Sequence, residues 1–523
     1  MIKSKKMNSI FMSRKLRILL VLLFANAVLN AQDLTYIPLN DTNKFDALLK
    51  NESVTIHYNT DDFVIATVDD NSKVSNAAII DEDAWSDNSS YYILWSENVS
   101  EYKKEGGVNG TIIFTNENFV IAKLAKDEDI RYKKNSYLGV CRINDSGIKL
   151  PKNNSLETIS QELDENDSIM ISQLIMDVNQ DTLVSYVQHL QDYRTRHCNY
   201  QSTIAAQEWI KDHYERLGYS VTLQDVWHYP TKNVIATKVG SKYPDEFVIC
   251  GAHYDSYSYS GNAPGADDNA TGTAGVMEIA RILSEIEFER TIVICSFTAE
   301  EMGLHGSEVY VSNCSDNDDN IIGYVNIDMS GYLAPGMPLH TTVIYPNSAQ
   351  ELYDFYESTC TMFIPDFQVS RGFMSGGDSD HTSFNRNGYM GIFPFENVNN
   401  YCPYIHTSGD TIGTAVNDFE LCQKFTQACL STVARMANIA SDYESIEEVN
   451  KIEIYPNPVS RNLHIKTQQK TILTIYNSDG KKIDQHISEE NSTNKINVEN
   501  YPDGLYFIVD EKNNQVIKFI KHE

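Results

Sequence analysis

The chain has 523 residues, enough for about three domains at roughly 150 residues each. Hydrophobic residues make up 41%, which argues against general disorder, while 42 Lys+Arg against 72 Asp+Glu give a net charge of −30. That balance argues against nucleic acid as the main partner, since phosphate binding needs a basic face, and against electrostatic docking on anionic lipid.

The amino end carries Lys3, Lys5, Lys6, Arg14, Lys15 and Arg17, with no acid before Asp33. An apolar run over residues 18–28 follows, with small residues at Ala25, Ala27 and Ala31. This is the pattern of a secretory signal peptide over residues 1–31, cleaved near Ala27 or Ala31. The run is shorter than the ~20 apolar residues of a spanning helix, and no later segment reaches that length, so no stable transmembrane segment is expected.

Residues 32–165 hold short β-branched runs, such as Thr111-Ile112-Ile113-Phe114, between Asn- and Asp-rich turns. They read as a β-rich region for which a propeptide, an accessory domain or an intramolecular chaperone would each fit. His57 is its one histidine and is expected to be structural or exposed. Residues 166–441 change texture. Helical periodicity appears over 181–192 and 202–217, and strands are then expected at 247–252, 291–298 and 321–327, with a helix over 271–286. Apolar strands alternating with amphipathic helices imply an α/β domain whose sheet is covered on both faces. An acidic linker (442–450) leads to residues 451–523, a small all-β tail with strands near 463–465, 471–476, 504–509 and 516–520, and a turn at Ser478-Asp479-Gly480. A tail of this size is expected to form a compact sandwich.

Nine cysteines, an odd number, leave at least one thiol free in a monomer. Cys250 and Cys295 sit in apolar strand-like runs and are expected as buried free thiols. No C-x-x-C pair exists, which argues against a zinc finger or a thioredoxin-like site; one or two disulfides stay open.

Acids and histidines gather where the α/β strands end. His253 and Asp255 stand two apart, on the same side of a strand, so the carboxylate can orient the imidazole. Asp267 and Asp268 precede a helix, where either a helix cap or a ligand fits. Glu300 and Glu301 follow one strand and Asp328 ends another; His406 comes later, with Asp410 four residues on. Ligands of open α/β sheets bind at the carboxyl ends of strands. Two histidines with three carboxylates there suit zinc, with manganese or cobalt also compatible. No G-x-S-x-G elbow is present, which weakens a serine-hydrolase reading.

Taken together, His253-Tyr254-Asp255-Ser256, Gly265-Ala266-Asp267-Asp268-Asn269-Ala270-Thr271-Gly272, the stretch from Ala299 to Ser307, Asn326-Ile327-Asp328-Met329 and Ile405-His406-Thr407 resemble the secreted di-zinc aminopeptidases of the bacterial leucyl aminopeptidase and aminopeptidase S type. The resemblance implies a central mixed sheet with helices on both faces, of zinc-exopeptidase type. It implies two zinc ions bridged by Asp267, with His253 and Asp328 completing one site and Glu301 and His406 the other. It further implies a cis peptide between Asp267 and Asp268. Glu300 would be the general base acting on a zinc-bound hydroxide, Asp255 would support His253, and the substrates would be peptides with a free N-terminus. Glutaminyl cyclases and glutamate carboxypeptidases share that fold and are the alternative activities, and a non-catalytic binding module is the alternative of another class. His305 is given no role. His381, in a loop that lines such sites, is a candidate for substrate contact, and Tyr401 and Tyr404 either shape the side-chain pocket or are packed aromatics. The acidic run 316–319 is expected to be a solvated loop. In the tail, Ile454-Tyr455-Pro456-Asn457-Pro458, Asn477-Ser478-Asp479-Gly480, Gly504-Leu505-Tyr506 and Lys518-Phe519-Ile520-Lys521 resemble the C-terminal sorting domain of type IX secretion cargo. That implies passage through the periplasm, the type IX machinery as partner, and a secreted or cell-surface location.

Overall fold

Among the described residues, eight strands precede the α/β block: β1 (Gln32–Pro38), β2 (Val54–Asn59), β3 (Phe63–Val68), β4 (Ala78–Ala84), β5 (Ser89–Ser96), β6 (Thr111–Thr115), β7 (Phe119–Ala125) and β8 (Tyr137–Ile143). The computed structural model describes residues 32–440 and 452–522 except 40–41, 61, 69–73, 75, 97, 101, 105–106, 127, 129, 132–136, 153–155, 157–158, 160–162, 164, 373–377, 468–469, 478–480, 490–491 and 511–514. The expected signal peptide, the 442–450 linker and the 478–480 turn lie outside the described residues. The chain divides into two compact units, one running to Ile439 and one beginning at Ala440. Among the described residues, no helix is long and apolar enough to cross a membrane.

The N-terminal strands form two four-stranded antiparallel sheets, in the orders β2-β3-β1-β4 and β6-β7-β5-β8. Alternation puts Phe63 and Ile65, Tyr91, Ile93 and Trp95, and Phe119 and Ile121 into one shared core, where Phe63 stacks on Phe119 at 4.8 Å. His57 is buried beside it. Its Nδ1 lies 2.7 Å from the Asn144 carbonyl, its Nε2 2.9 Å from the Thr67 hydroxyl, and its ring 4.5 Å from Trp85. One nitrogen donates and the other accepts, which suits a neutral ring.

The α/β block is built on an eight-stranded mixed sheet. Its strands are β9 (Ser220–Asp225), β10 (Lys232–Lys238), β11 (Tyr243–His253), β12 (Arg290–Phe297), β13 (Asn320–Asn326), β14 (His340–Ile344), β15 (Gln368–Gly372) and β16 (Gly391–Phe395). The order is β15-β14-β16-β13-β11-β12-β10-β9. The inner four, β16, β13, β11 and β12, run parallel, and their residues 248–252, 291–297 and 391–395 are buried without alternation because both faces are covered. The helices Gln201–Arg216, Gly272–Leu283 and Phe419–Ala437 share the larger core on one face, while His305–Asp316 and His381–Arg386 cover the other. Each fully buried aliphatic side chain here contributes about 1.5–3 kcal/mol of transfer free energy.

The tail comprises a three-stranded sheet of β17 (Glu453–Tyr455), β18 (Asn462–Thr467) and β21 (Ser492–Asn497), and a four-stranded sheet of β20 (Lys482–Ser488), β19 (Thr471–Asn477), β22 (Gly504–Asp510) and β23 (Gln515–Lys521). Leu463, Ile465, Leu473, Ile475, Ile508 and Phe519 form their common core. All nine cysteines are free and buried. Burial raises the thiols of Cys250 and Cys295, making them inert.

Two outcomes are expected from this packing. In the folded chain a thiol reagent finds no rapidly reacting cysteine, and unfolding in denaturant releases nine. Burial lowers the His57 imidazole from 6.5 to about 4. The unfolded chain therefore takes up the proton first, so stability present above pH 6.5 is lost as pH falls towards 4. The amount is about 3 kcal/mol at 1.36 kcal/mol per unit. Denaturant unfolding followed by tryptophan fluorescence from pH 7.5 to 4 is expected to show this slope in the wild type and a shallower one in His57→Gln.

Candidate metal centre

Strand register assembles the site. Gly251 pairs with Asn326 across β11 and β13, so His253 and Asp328, each two residues further on, emerge side by side. His253 itself pairs with Phe297 of β12, which brings Glu300 and Glu301 in from the neighbouring turn. His406 arrives from the loop after β16. His253 Nε2 lies 3.4 Å from Asp268 Oδ1 and 3.4 Å from Asp328 Oδ1, while His406 Nε2 lies 3.0 Å from Asp268 Oδ2 and 2.8 Å from Glu301 Oε2. Two buried triads result, His253–Asp268–Asp328 and Asp268–Glu301–His406, with one ligand atom from each residue within 4.8 Å of the others in its triad.

The residue common to both triads is Asp268, which corrects the expectation for Asp267. The carboxylate of Asp267 turns the other way, accepting from the Gly331 N–H (2.8 Å) and the Thr271 hydroxyl (3.4 Å). The cis peptide is likewise Asp268–Asn269, one bond later than expected. The cause is local geometry. Residues 266–271 form a wide, irregular turn in which Asp268 (φ −108°, ψ 91°) and Asn269 (φ −135°, ψ 57°) leave helical values, so the two acids do not follow helical spacing. Asn269 pins that turn, accepting from the Gly272 N–H (2.8 Å) and donating to the Ile327 carbonyl (2.9 Å). Position 272 has to be glycine, because a Cβ would stand 2.1 Å from that same carbonyl. Left-handed φ at Ala299, Met329 and His406 shows that the backbone is held in uncommon conformations all round the site.

The surrounding hydrogen bonds orient each group. Asp255 accepts from the N–H groups of Glu300 (3.2 Å) and Glu301 (3.4 Å), and its carboxylate stands 3.6 Å from His253 Nδ1, with its own carbonyl nearer at 3.2 Å. Ser379 donates to Asp328 Oδ2 at 2.7 Å. Asp410 accepts from the backbone N–H groups of Asp267 (2.8 Å) and Asp268 (3.1 Å), a role its spacing from His406 gave no sign of. Arg196, fully buried, donates to the carbonyls of Leu190, Tyr254, Pro264 and Gly265 and so ties the chain on either side of the turn. Of the other residues singled out, His381 is buried against Phe393, Tyr401 packs on Phe395, Tyr404 is exposed, and Asp318 pairs with Lys152 at 2.9 Å.

Charge decides what this arrangement is for. Burial raises Glu300 well above the carboxylate range, His253 opposes this, and the charges of Glu301, Asp380 and Asp328 add to it. Glu301 and Asp380, also buried, are both raised to about 7. Although burial disfavours charge on the imidazoles, Asp328 and Glu300 raise His253, and Glu301 and Asp268 raise His406 to about 10. Conversely, burial is outweighed at Asp268, which the two imidazoles hold low. Among the described residues, His253 Nε2, Asp328 Oδ1 and Glu301 Oε1 are buried without a hydrogen-bond partner, as are Asp267 Oδ2 and both carboxylate oxygens of Asp380. Orphaned donor atoms of mixed nitrogen and oxygen type, crowded by carboxylates, fit divalent cations of the zinc class.

The stretch that holds these residues matches known proteins. Residues 233–433 match the profile of Peptidase family M28, and residues 453–522 match that of a secretion system C-terminal sorting domain. The chain is similar to a probable leucine aminopeptidase of Trichophyton verrucosum, 28% identical over 268 residues that cover 47% of this chain and 70% of that protein. It is also similar to leucine aminopeptidase 1 of Trichophyton equinum, 30% identical over 211 residues; these span 37% of this chain but only 56% of the relative. Among solved structures, the fold is similar to that of the LapA aminopeptidase of Legionella pneumophila, with a TM-score of 0.55 and 18% identity, covering 68% of this chain and 99% of that one.

Replacing Arg196 by Leu strips four buried carbonyls of their donor at about 1 kcal/mol or more each, so a loss of about 3–5 kcal/mol is expected in denaturant unfolding.

Proposed function

Residues 233–433 belong to peptidase family M28, and on that footing we propose that the chain is an exported zinc-dependent aminopeptidase acting on peptides with a free N-terminus. The observation that carries this reading is the pair of buried triads sharing Asp268. His253, Asp268 and Asp328 would hold one zinc ion, and Asp268, Glu301 and His406 a second. Bound there, zinc lowers the pKa of water and polarises a carbonyl oxygen.

The protein's own groups supply the rest. Glu300 is buried in the same acid cluster yet keeps 11% of its side chain exposed, with Oε2 3.9 Å from His253 Nε2. It is placed to take the proton of the attacking water and to return it to the leaving amine nitrogen. Asp255 fixes the turn carrying Glu300 and Glu301 and faces the ring of His253. The surplus of carboxylates over imidazoles favours a substrate ammonium, which is the feature separating an amino terminus from a carboxyl terminus. The sorting domain at residues 453–522 supports export by the type IX machinery through the periplasm to the outside or the cell surface.

With zinc and a short peptide beginning with glutamine, mass spectrometry is expected to show stepwise loss of residues from the amino end. Loss of ammonia alone would make the chain a cyclase, and loss from the other end a carboxypeptidase. Glu300→Gln is expected to lower kcat by about 10²–10⁴ with zinc content unchanged. By elemental analysis, Asp268→Ala is expected to lose both ions, whereas Asp267→Ala keeps zinc and loses stability. Equal zinc loss in the two variants would return the bridging role to Asp267.

A further inference from the structure

Of the contacts between the N-terminal β-module and the α/β block, two adjoin segments that carry the acid-rich site. On one side Leu304, three residues past Glu301, is buried in the module's inner core. Gly303 is backed there by the Arg142 N–H and the Tyr92 ring, 3.2 and 3.3 Å from where a Cβ would stand. The Tyr92 hydroxyl is 3.4 Å from Nε2 of His305, the residue that the sequence left without a role.

On the other side, Tyr257 and Tyr259 pack against the module's second core, which includes Leu94 and Tyr102. The same two tyrosines also contact His406. The Tyr259 N–H donates to the His406 carbonyl at 3.2 Å, its hydroxyl lies 3.4 Å from His406 Nδ1, and both rings meet the imidazole edge-on at 5.6 and 5.7 Å. The two imidazoles are therefore aimed in different ways. His253 is steered by Asp255, two residues along its own chain, whereas His406 leans on a strap (residues 257–259) that the N-terminal module backs. The group on the second nitrogen of a ligating imidazole sets its orientation and basicity, and its loss typically costs 10–100-fold in metal affinity.

Resting on the metal-site reading above, we infer that the N-terminal β-module is a permanent brace of the active site, positioning His406 through Tyr102 and the 257–259 strap, and is not a segment removed on maturation. Tyr259 is thus a positioning residue, and the module is required for the site's full affinity for metal.

The test titrates zinc into metal-stripped full-length protein against a chromophoric chelator, comparing wild type, Tyr259→Phe, Tyr102→Leu and the double variant. Each single variant is expected to weaken the second zinc about tenfold while the first is retained, and the double variant to lose no more than Tyr259→Phe alone. Wild-type affinities in the single variants, or multiplied losses in the double, would overturn the inference. Tyr259→Phe removes a single oxygen, so it carries the test if Tyr102→Leu loosens the fold. In a second arm, a protease site is inserted between Lys152 and Leu156 and the folded chain is nicked. The N-terminal piece is expected to co-elute with the rest, with both zinc affinities kept. Its departure with zinc binding intact, or a rise in peptide turnover, would mark it as a removable inhibitor. The zinc readout is independent of turnover: weakened zinc in a chain that cleaves no peptide defeats the proposed activity and leaves the brace standing, and a chain that binds no zinc overturns both.

Discussion

Everything around the site follows from the burial of several carboxylates at the ends of parallel strands. Asp268, Asp328, Glu301 and most of Glu300 are removed from water within a few ångströms of one another, and like charges in such a setting repel strongly. The fold answers with a framework of donors. Backbone N–H groups and Ser379 satisfy the outer acids, two imidazoles face the inner ones, and Arg196 anchors the surrounding loops through their carbonyls. The atoms left unsatisfied include the inward-facing His253 Nε2, Asp328 Oδ1 and Glu301 Oε1. Stability and function are therefore in tension here, because the packing that holds the acids together leaves their charge uncompensated until metal arrives.

Much of this was legible in the sequence, for a physical reason. Parallel strands buried on both faces read as unbroken apolar runs, and a polar residue ending such a run stands at the sheet's edge whatever the loops do. By that rule the sequence singles out His253, Asp328 and the Glu300–Glu301 pair as candidates. The choice between Asp267 and Asp268 lay outside it. Adjacent acids on an irregular turn point in opposite directions, and which one faces inward depends on φ and ψ at Asp268 and Asn269, which neither composition nor periodicity encodes. Arg196 gives no such signal, because an arginine beside Thr195 and His197 has the look of a surface residue; its role appears only when the carbonyls of Tyr254, Pro264 and Gly265 fold back to join that of Leu190 around it. Asp410 was noticed but not understood, since a carboxylate that caps backbone N–H groups leaves no mark in residue spacing.

The N-terminal β-module shows the same limit on a larger scale. Its strand-rich composition was plain, yet nothing in it indicated that Leu304, Tyr257 and Tyr259 complete its cores. Hydrophobic residues exchanged between modules look, in sequence, like ordinary members of their own segment. Through residues 32–439 the structure is one unit, although the sequence reads as two regions of different texture. The tail is the converse case: a separate unit with a core of its own, whose strands alternate regularly enough to be read directly.

The nine buried thiols bear on the life history of the chain. Residues 453–522 match a secretion system C-terminal sorting domain, yet the fold uses no disulfide for its strength. Its cysteines are shielded by packing alone, so folding and redox chemistry are set in competition: a chain that has closed its core escapes oxidation, and one that opens is captured in mispaired forms. Heat inactivation in air would then act as a ratchet, each excursion to the unfolded state being a one-way step, while a reductant restores the return path. For such a molecule durability outside the cell is governed by how seldom it opens, and equilibrium stability matters chiefly through that rate.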